Sequence, residues 1–225
     1  MIRSVLPLLV LIFLFTSFQC SNAQKMSEVS STKELKSTKE KKMSLDNYER
    51  AYFASGCFWC VEAVFESVIG VEEAISGYSG GSPADANYSD VSAGRTNHAE
   101  AVEVYYDPEL ISYETLLEVF FGSHDPSTLN RQGPDSGRQY RSAIFYQNNE
   151  EKQAADKYIK EKLDEGVFSK VTTQIVPFEA FYDAEEYHQD YEQKNPNQPY
   201  VRAVSIPRLK KFQKKYPQLL KKNVH

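Results

Sequence analysis

The stretch YERAYFASGCFWCVEAVFESVIG, residues 48–70, holds a strand, a break and a helix in one run. Tyr48 to Ser55 reads as a strand, with Tyr52 and Phe53 in a short apolar run. Gly56 breaks it. Val61, Val64, Phe65 and Val68 then recur at helical spacing until Gly70 stops the helix. Val71 to Tyr78 reads as a second strand, closed by the breaker Gly80-Gly81-Ser82-Pro83, and a polar loop runs on to Asn97. Ala99 to Tyr106 alternates and predicts a third strand. Ser112 can cap a helix whose stripe is Leu116, Leu117, Phe120 and Phe121. After a long loop, Gly122 to Gln139, come a strand at 140–147 and a charged amphipathic helix at 149–165. Strands at 171–176 and 178–181 flank Pro177, and an aromatic loop leads to a short basic helix near Pro207. The order of elements predicts an α+β fold, a two-layer α/β sandwich with helices packed on a mixed or antiparallel sheet and long functional loops.

The chain has 225 residues, 41% of them hydrophobic and 25% charged, ordinary values for a globular protein. Its net charge of -5 is segregated. Six lysines and Arg208 lie beyond residue 206 without an acid, and residues 25–42 are also net basic, so the middle is strongly acidic. A nucleic-acid-binding domain would carry its basic patch on the folded core, so none is expected as a partner.

Arg3 and the apolar run from Val5 to Phe18 read as an export signal, too short for a membrane span. Ser21-Asn22-Ala23 suits cleavage after Ala23. Attachment of lipid at Cys20 is the less favoured alternative, because Phe18 and Gln19 replace the usual small residues before it. Residues 24–43 are Lys, Ser, Thr and Glu with few apolar side chains, a composition expected to stay a disordered linker. The expected domain organisation is thus a signal peptide at 1–23, the linker at 24–43, one domain at 44–217 and a basic tail at 218–225. The protein is expected to be exported, periplasmic or otherwise extracytoplasmic, and to act as a monomer.

Export leaves Cys57 and Cys60 as the cysteines of the mature chain. A bridge across so short a loop constrains the unfolded chain little, so the pair suggests chemistry. Cys57, at a strand-to-helix junction, sits where free N–H groups and the helix dipole favour a thiolate. Two buried apolar thiols, a thioredoxin-like dithiol and a zinc half-site remain as alternatives. Zinc is the weakest, since no second Cys pair supplies ligands. Phe58 and Trp59 look like walls of a small apolar pocket, or like plain core. Long loops rich in Asn, Asp, His and Arg elsewhere are usually functional.

GCFWC (56–60), HAEAVEV (98–104), GSHDPSTLNRQG (122–133), GRQYRSAIF (137–145) and EYHQDY (186–191) together resemble the peptide methionine sulfoxide reductases of type A, in that family's order. The resemblance covers about Tyr52 to Pro217 and implies a ferredoxin-like core. It also implies reduction of methionine-S-sulfoxide, free or in oxidised proteins. Cys57 would be the nucleophile and Glu100 the acid that protonates the sulfoxide oxygen. Tyr88 and Tyr140 would hydrogen-bond that oxygen, and Asp135 would order the polar side. Phe58 and Trp59 would wall the methyl group, with His188 and Tyr191 as further substrate-binding candidates, although both could equally pin the C-terminal loop. His98 reads as structural. Many members carry a resolving cysteine after a Pro-Tyr pair, but here Val201 follows Pro199-Tyr200. Cys60 is then the expected resolver, with no bound metal or cofactor and reducing equivalents from thioredoxin or a thioredoxin-like dithiol. A rival enzyme reading is an exported dithiol–disulfide oxidoreductase. A rival of another class is a secreted module that binds a ligand in the aromatic pocket without turning it over.

Overall fold

A computed structural model describes residues 45–222. The expected signal peptide, linker and Cys20 lie outside the described residues. The elements are β1 (Glu49–Ser55), α1 (Phe58–Glu66), β2 (Val71–Ser79), α2 (Tyr88–Ser92), β3 (Ala99–Tyr106), α3 (Tyr113–Gly122), β4 (Arg131–Gln132), β5 (Asp135–Ser136), β6 (Ser142–Tyr146), α4 (Asn149–Asp164), β7 (Gln174–Pro177), β8 (Phe181–Asp183), α5 (Tyr191–Lys194) and α6 (Ile206–Lys215). Six strands form one mixed sheet in the order β7-β6-β1-β3-β2-β8. All neighbours are antiparallel except β6 and β7. Within it, β6-β1-β3-β2 with α1 and α3 is the expected ferredoxin-like core.

Alternation along β1 assigns its two faces. Ala51 and Phe53 join the core with Val61, Val64, Phe65 and Val68 of the α1 segment and Leu116, Leu117 and Phe120 of α3. Each such side chain, fully buried, contributes about 1.5–3 kcal/mol of hydrophobic transfer. Tyr52 and Ala54 point the other way, into a smaller cluster with Ala101 and Phe145. Every residue of β3 is buried, so its polar-looking alternation does not mark a solvated face. Glu103 lies on that second face and accepts hydrogen bonds from the Tyr52 and Tyr105 hydroxyls, at 2.8 and 3.0 Å.

The strands around Pro177 differ from the expected ones. They span Gln174–Pro177 and Phe181–Asp183 and occupy opposite edges of the sheet. Phe178 closes the β6–β7 ladder through its N–H, which donates to the Tyr146 carbonyl at 2.8 Å, and its ring stacks on Tyr52, centroids 3.8 Å apart, so the crossing chain covers the face opposite the helices. A Cβ on Gly77 would lie 2.3 Å from the Phe181 ring and 2.4 Å from the Tyr182 carbonyl oxygen. Gly77→Ala is expected to destabilise by about 1–3 kcal/mol through this overpacking. An unchanged urea midpoint would contradict the close approach of β8.

The expected boundary at 217 also shifts. Pro217–Leu219 forms a 3₁₀ turn and Leu220 bridges Val68. The Lys221 N–H donates to the Ser67 carbonyl at 2.9 Å. Backbone pairing to the end of α1 thus holds residues that read as a loose basic tail.

Candidate active site

Gly56 takes φ +95, which ends β1 and turns the chain into α1. Cys57 becomes the N-cap and Cys60 lies in the first turn, its N–H 3.1 Å from the Cys57 carbonyl oxygen. Both are free thiols and both are buried. Glu100 shares its strand face with Val102 and Val104, the face under α1. Its Oε2 accepts the Phe58 N–H at 3.1 Å, one of the donors an α-helix leaves free at its start. That bond favours the carboxylate, but burial opposes it more strongly and raises the Glu100 pKa to about 8. Glu100 is therefore a carboxylic acid at neutral pH, beside the cysteine turn.

Tyr88 and Tyr140 flank this acid. Burial first, then the negative charges of Glu100 and Cys57, raise both phenols, Tyr88 to about 12. Neither phenol loses its proton near neutral pH, so both can donate to a ligand oxygen. Tyr88 is placed by its own N–H, which donates to Glu185 at 3.0 Å, and Glu185 also accepts from the Tyr78 hydroxyl at 2.8 Å. Asp135, on β5, accepts from the Tyr200 hydroxyl at 2.5 Å, and its charge raises Glu100.

The aromatic wall is built across three segments. Trp59 stacks on Tyr191 at 3.8 Å and 10°, and its Nε1–H donates to His188 Nδ1 at 3.0 Å. His188 in turn lies against Phe58 and Tyr88, with centroids 5.1 and 4.3 Å away. Burial lowers the His188 pKa to about 4, leaving the neutral imidazole that can accept from Trp59. His188 and Tyr191 thus pack against Phe58 and Trp59 and tie the C-terminal segment to α1. Trp59→Leu is expected to weaken methyl recognition by only about 1 kcal/mol. The larger loss should appear in the reduction rate, because the stack that orients the wall is gone. An unchanged single-turnover rate in this variant would remove Trp59 from the site.

All ten expected site residues converge on this one region. Burial opposes the thiolate expected at Cys57. Burial pushes the Cys57 thiol up, reinforced by its hydrogen bond to Cys60 and by the charges of Cys60 and Glu100. Cys60 is instead lowered to about 6, by the Cys57 hydrogen bond first and then, against its own burial, by Arg208 and Ser205. Tyr200, Ser205 and Arg208 were not expected as site residues. Tyr200 follows Pro199 where the motif drew attention to a missing cysteine, and its ring meets Trp59 edge-on at 6.0 Å. His98 is structural as expected, fully buried with Nε2 2.9 Å from the Ser82 carbonyl oxygen.

The family model "Peptide methionine sulfoxide reductase" matches residues 49–220. The chain belongs to the peptide methionine sulfoxide reductase family. Peptide methionine sulfoxide reductase MsrA 2 of Synechocystis is 51% identical over 175 residues, 77% of this chain and 82% of that protein. MsrA of Sulfolobus acidocaldarius is 48% identical over 169 residues, covering 75% and 96%. Among solved structures, reduced Mxr1 of Saccharomyces cerevisiae is similar with a TM-score of 0.63 at 35% identity, covering 67% of this chain and 87% of that one. Methionine sulfoxide reductase A of Corynebacterium diphtheriae gives 0.60 at 34% identity, covering 67% and 76%. These relatives establish an α+β reductase fold and thiol-dependent methionine sulfoxide reduction for the chain.

Two other features of this reductase lie apart from the reacting groups. A hollow of about 860 Å³ runs between α1, α5 and α6, lined by Glu66, Glu192, Leu209 and Lys210 among others. It includes neither cysteine and none of the ten site residues. Glu62, Glu66 and Asp190 bring carboxylate oxygens within 4.8 Å of one another. Both Glu62 oxygens are already engaged, by the Ser76 hydroxyl and the Asp190 N–H. Burial raises Glu62 to about 8 and Glu66 to about 9.

Proposed function

We propose that this reductase acts on methionine-S-sulfoxide, free and in oxidised proteins, with Cys57 as nucleophile, Glu100 as acid and Cys60 as resolver. The observation that carries the reading is Glu100, a buried acid hydrogen-bonded to the N-terminus of the very helix that Cys57 caps. A sulfoxide sulfur is a poor electrophile until its oxygen gains a proton. Glu100 supplies that proton while Tyr88 and Tyr140 donate hydrogen bonds to the same oxygen, and Asp135 with Tyr200 orders the polar side. As Cys57 Sγ bonds to the sulfoxide sulfur, its own proton passes to Cys60. Transfer of the oxygen then gives a Cys57 sulfenic acid and methionine. Cys60 attacks the sulfenic sulfur, the S–O bond breaks, and water leaves. A thioredoxin-like dithiol then reduces the Cys57–Cys60 disulfide.

Phe58 and Trp59 enclose the methyl while the acid and phenols hold the oxygen, so one sulfur configuration alone presents its sulfur to Cys57. Reduced protein mixed with racemic methionine sulfoxide, with the epimers separated by chromatography, tests this. One epimer should disappear. Equal consumption of both would contradict the three-point pocket. The dithiol–disulfide oxidoreductase reading has no need of a protonated Glu100 beside the thiols, and no observation favours it.

Export rests on the first 23 residues, and we place the mature start after Ala23. Mass spectrometry of the secreted protein should return that N-terminus. A diacylglycerol adduct on Cys20 would instead make it a lipoprotein.

A further inference from the structure

Cys60 is gripped from the C-terminal helix, far away in sequence. The chain from Val201 to Ser205 winds as a π-turn before α6, a rare widening that occurs mostly at functional sites. It places Ser205, fully buried, with Oγ 3.0 Å from Cys60 Sγ. Arg208 lies three residues further on, hence on the same helix face. Its guanidinium does not extend into solvent as the surrounding lysines do. It donates to the Ser123 carbonyl at 2.8 Å and to Ser55 Oγ at 3.0 Å, anchored to the end of α3 and the end of β1. A Cβ on Gly56 would come 3.4 Å from this guanidinium, which places the cation against the turn that carries the cysteines. Cys60 and Arg208 also line one hollow of about 320 Å³ with Gln132, His124 and Asp135.

We propose that Ser205 and Arg208 form a thiolate hole for Cys60, a hydroxyl donor backed by a fixed cation, which makes Cys60 competent first as resolving nucleophile and then as leaving group. The proposal rests on Cys60 being the resolver. In the resolving step the Cys60 sulfur pair forms the S–S bond to Cys57 while the sulfenic S–O bond breaks. The released hydroxide takes the Cys60 proton and leaves as water. In reduction a dithiol's thiolate attacks Cys57 Sγ, the S–S bond breaks, and its electron pair returns to Cys60 Sγ in the hole. The donor's second thiol then attacks the mixed disulfide, releases Cys57 and leaves the donor as its own disulfide. Arg208 and the Ser205 hydroxyl both lower the Cys60 thiol, after the Cys57 hydrogen bond, which is the largest cause. The groups facing Cys60 are Cys57 on α1, Glu100 on β3, Asp135 on β5, Glu192 on α5, Tyr200 and Arg208. His124, Asp125 and Lys211 line the same hollow, and Arg208 is the cation fixed against the cysteine turn by its bonds to Ser123 and Ser55.

The test uses Arg208→Gln, Arg208→Lys and Ser205→Ala, with the full chain and dithiothreitol as reductant. In a Cys20→Ser, Cys57→Ser background, thiolate absorbance against pH reports Cys60 directly. Arg208→Gln and Ser205→Ala should raise that midpoint by about a unit or more, and Arg208→Lys by less. With both cysteines present, disulfide formation at neutral pH should fall about tenfold or more relative to the methionine burst of the same variant. Reduction of the disulfide by dithiothreitol should slow in parallel. Midpoints and rate ratios equal to those of the parent would overturn the hole. Ser205→Ala removes one oxygen and keeps the fold testable if Arg208→Gln does not fold. Failure of the underlying reading looks different: Cys60→Ser would then turn over normally with a protein dithiol donor, whatever Arg208 does.

Discussion

Cys57→Ser should bring methionine sulfoxide reduction below detection, whereas Cys60→Ser should release about one methionine per enzyme and then stall. The two outcomes follow from the division of labour between thiols one helical turn apart. A serine hydroxyl at 57 cannot form the sulfur–oxygen bond of a sulfenic acid at an accessible cost. Loss of Cys60 leaves the first step its nucleophile and acid but removes the sulfur that closes the disulfide. Val201, in the place where many family members resolve, offers no second route. Quantifying methionine against enzyme in the absence of reductant checks both variants. Sustained turnover of Cys60→Ser with a protein dithiol donor would show that the sulfenic acid is reduced directly, and Cys60 would lose its role.

Glu100→Gln is expected to slow the reduction step by roughly 10²–10⁴ while leaving substrate affinity much less affected. Glutamine keeps the shape and can still meet the Phe58 N–H, but it has no carboxylic proton to give. The pH dependence carries the same signature. Glu100 must be protonated to act, and its pKa of about 8 keeps it so at neutral pH. The parent's single-turnover rate should therefore hold through neutrality and fall above about pH 8. Glu100→Gln should lose that alkaline limb. A limb that survives in the variant would assign the acid elsewhere.

Ionising Glu100 should also weaken the fold. Its folded pKa lies above the unfolded value, so its contribution is complete below the unfolded pKa and is lost as pH rises through about 8. Glu62, raised to about 8, adds to the same trend. Thermal midpoints should thus decline from about pH 4.5 to about pH 8 and level off above it.

What the sequence disclosed was local. Gly56 between an apolar strand and a helical repeat located the cysteine turn, because a backbone break and two periodicities are written in adjacent residues. Glu100 was legible through the short motif around it. Its elevated pKa was not, since that depends on α1 lying over β3. Likewise the helix dipole suggested a thiolate at Cys57, whereas burial pushes that thiol up. Phe178 looked like mid-strand and became the last rung of the ladder and the cover of the sheet, its ring stacked on Tyr52, 126 positions away in the chain. Arg208 was hidden among lysines that are solvated. Nothing in a basic helical run marks the one side chain whose partners sit on β1 and α3. Ser205 depended on a π-turn with no sequence signature of its own.

The central claim is that one sulfoxide oxygen leaves on Cys57 and that Cys60 then closes the disulfide. Fully reduced enzyme, mixed with excess racemic methionine sulfoxide without donor and quenched in acid, measures it in one sample. The account predicts about one methionine per enzyme, from a single epimer, with Cys57 and Cys60 bridged in the peptide map. Methionine formed while both thiols remain free, or a Cys57 sulfenic acid that persists beside an unreacted Cys60, would contradict it.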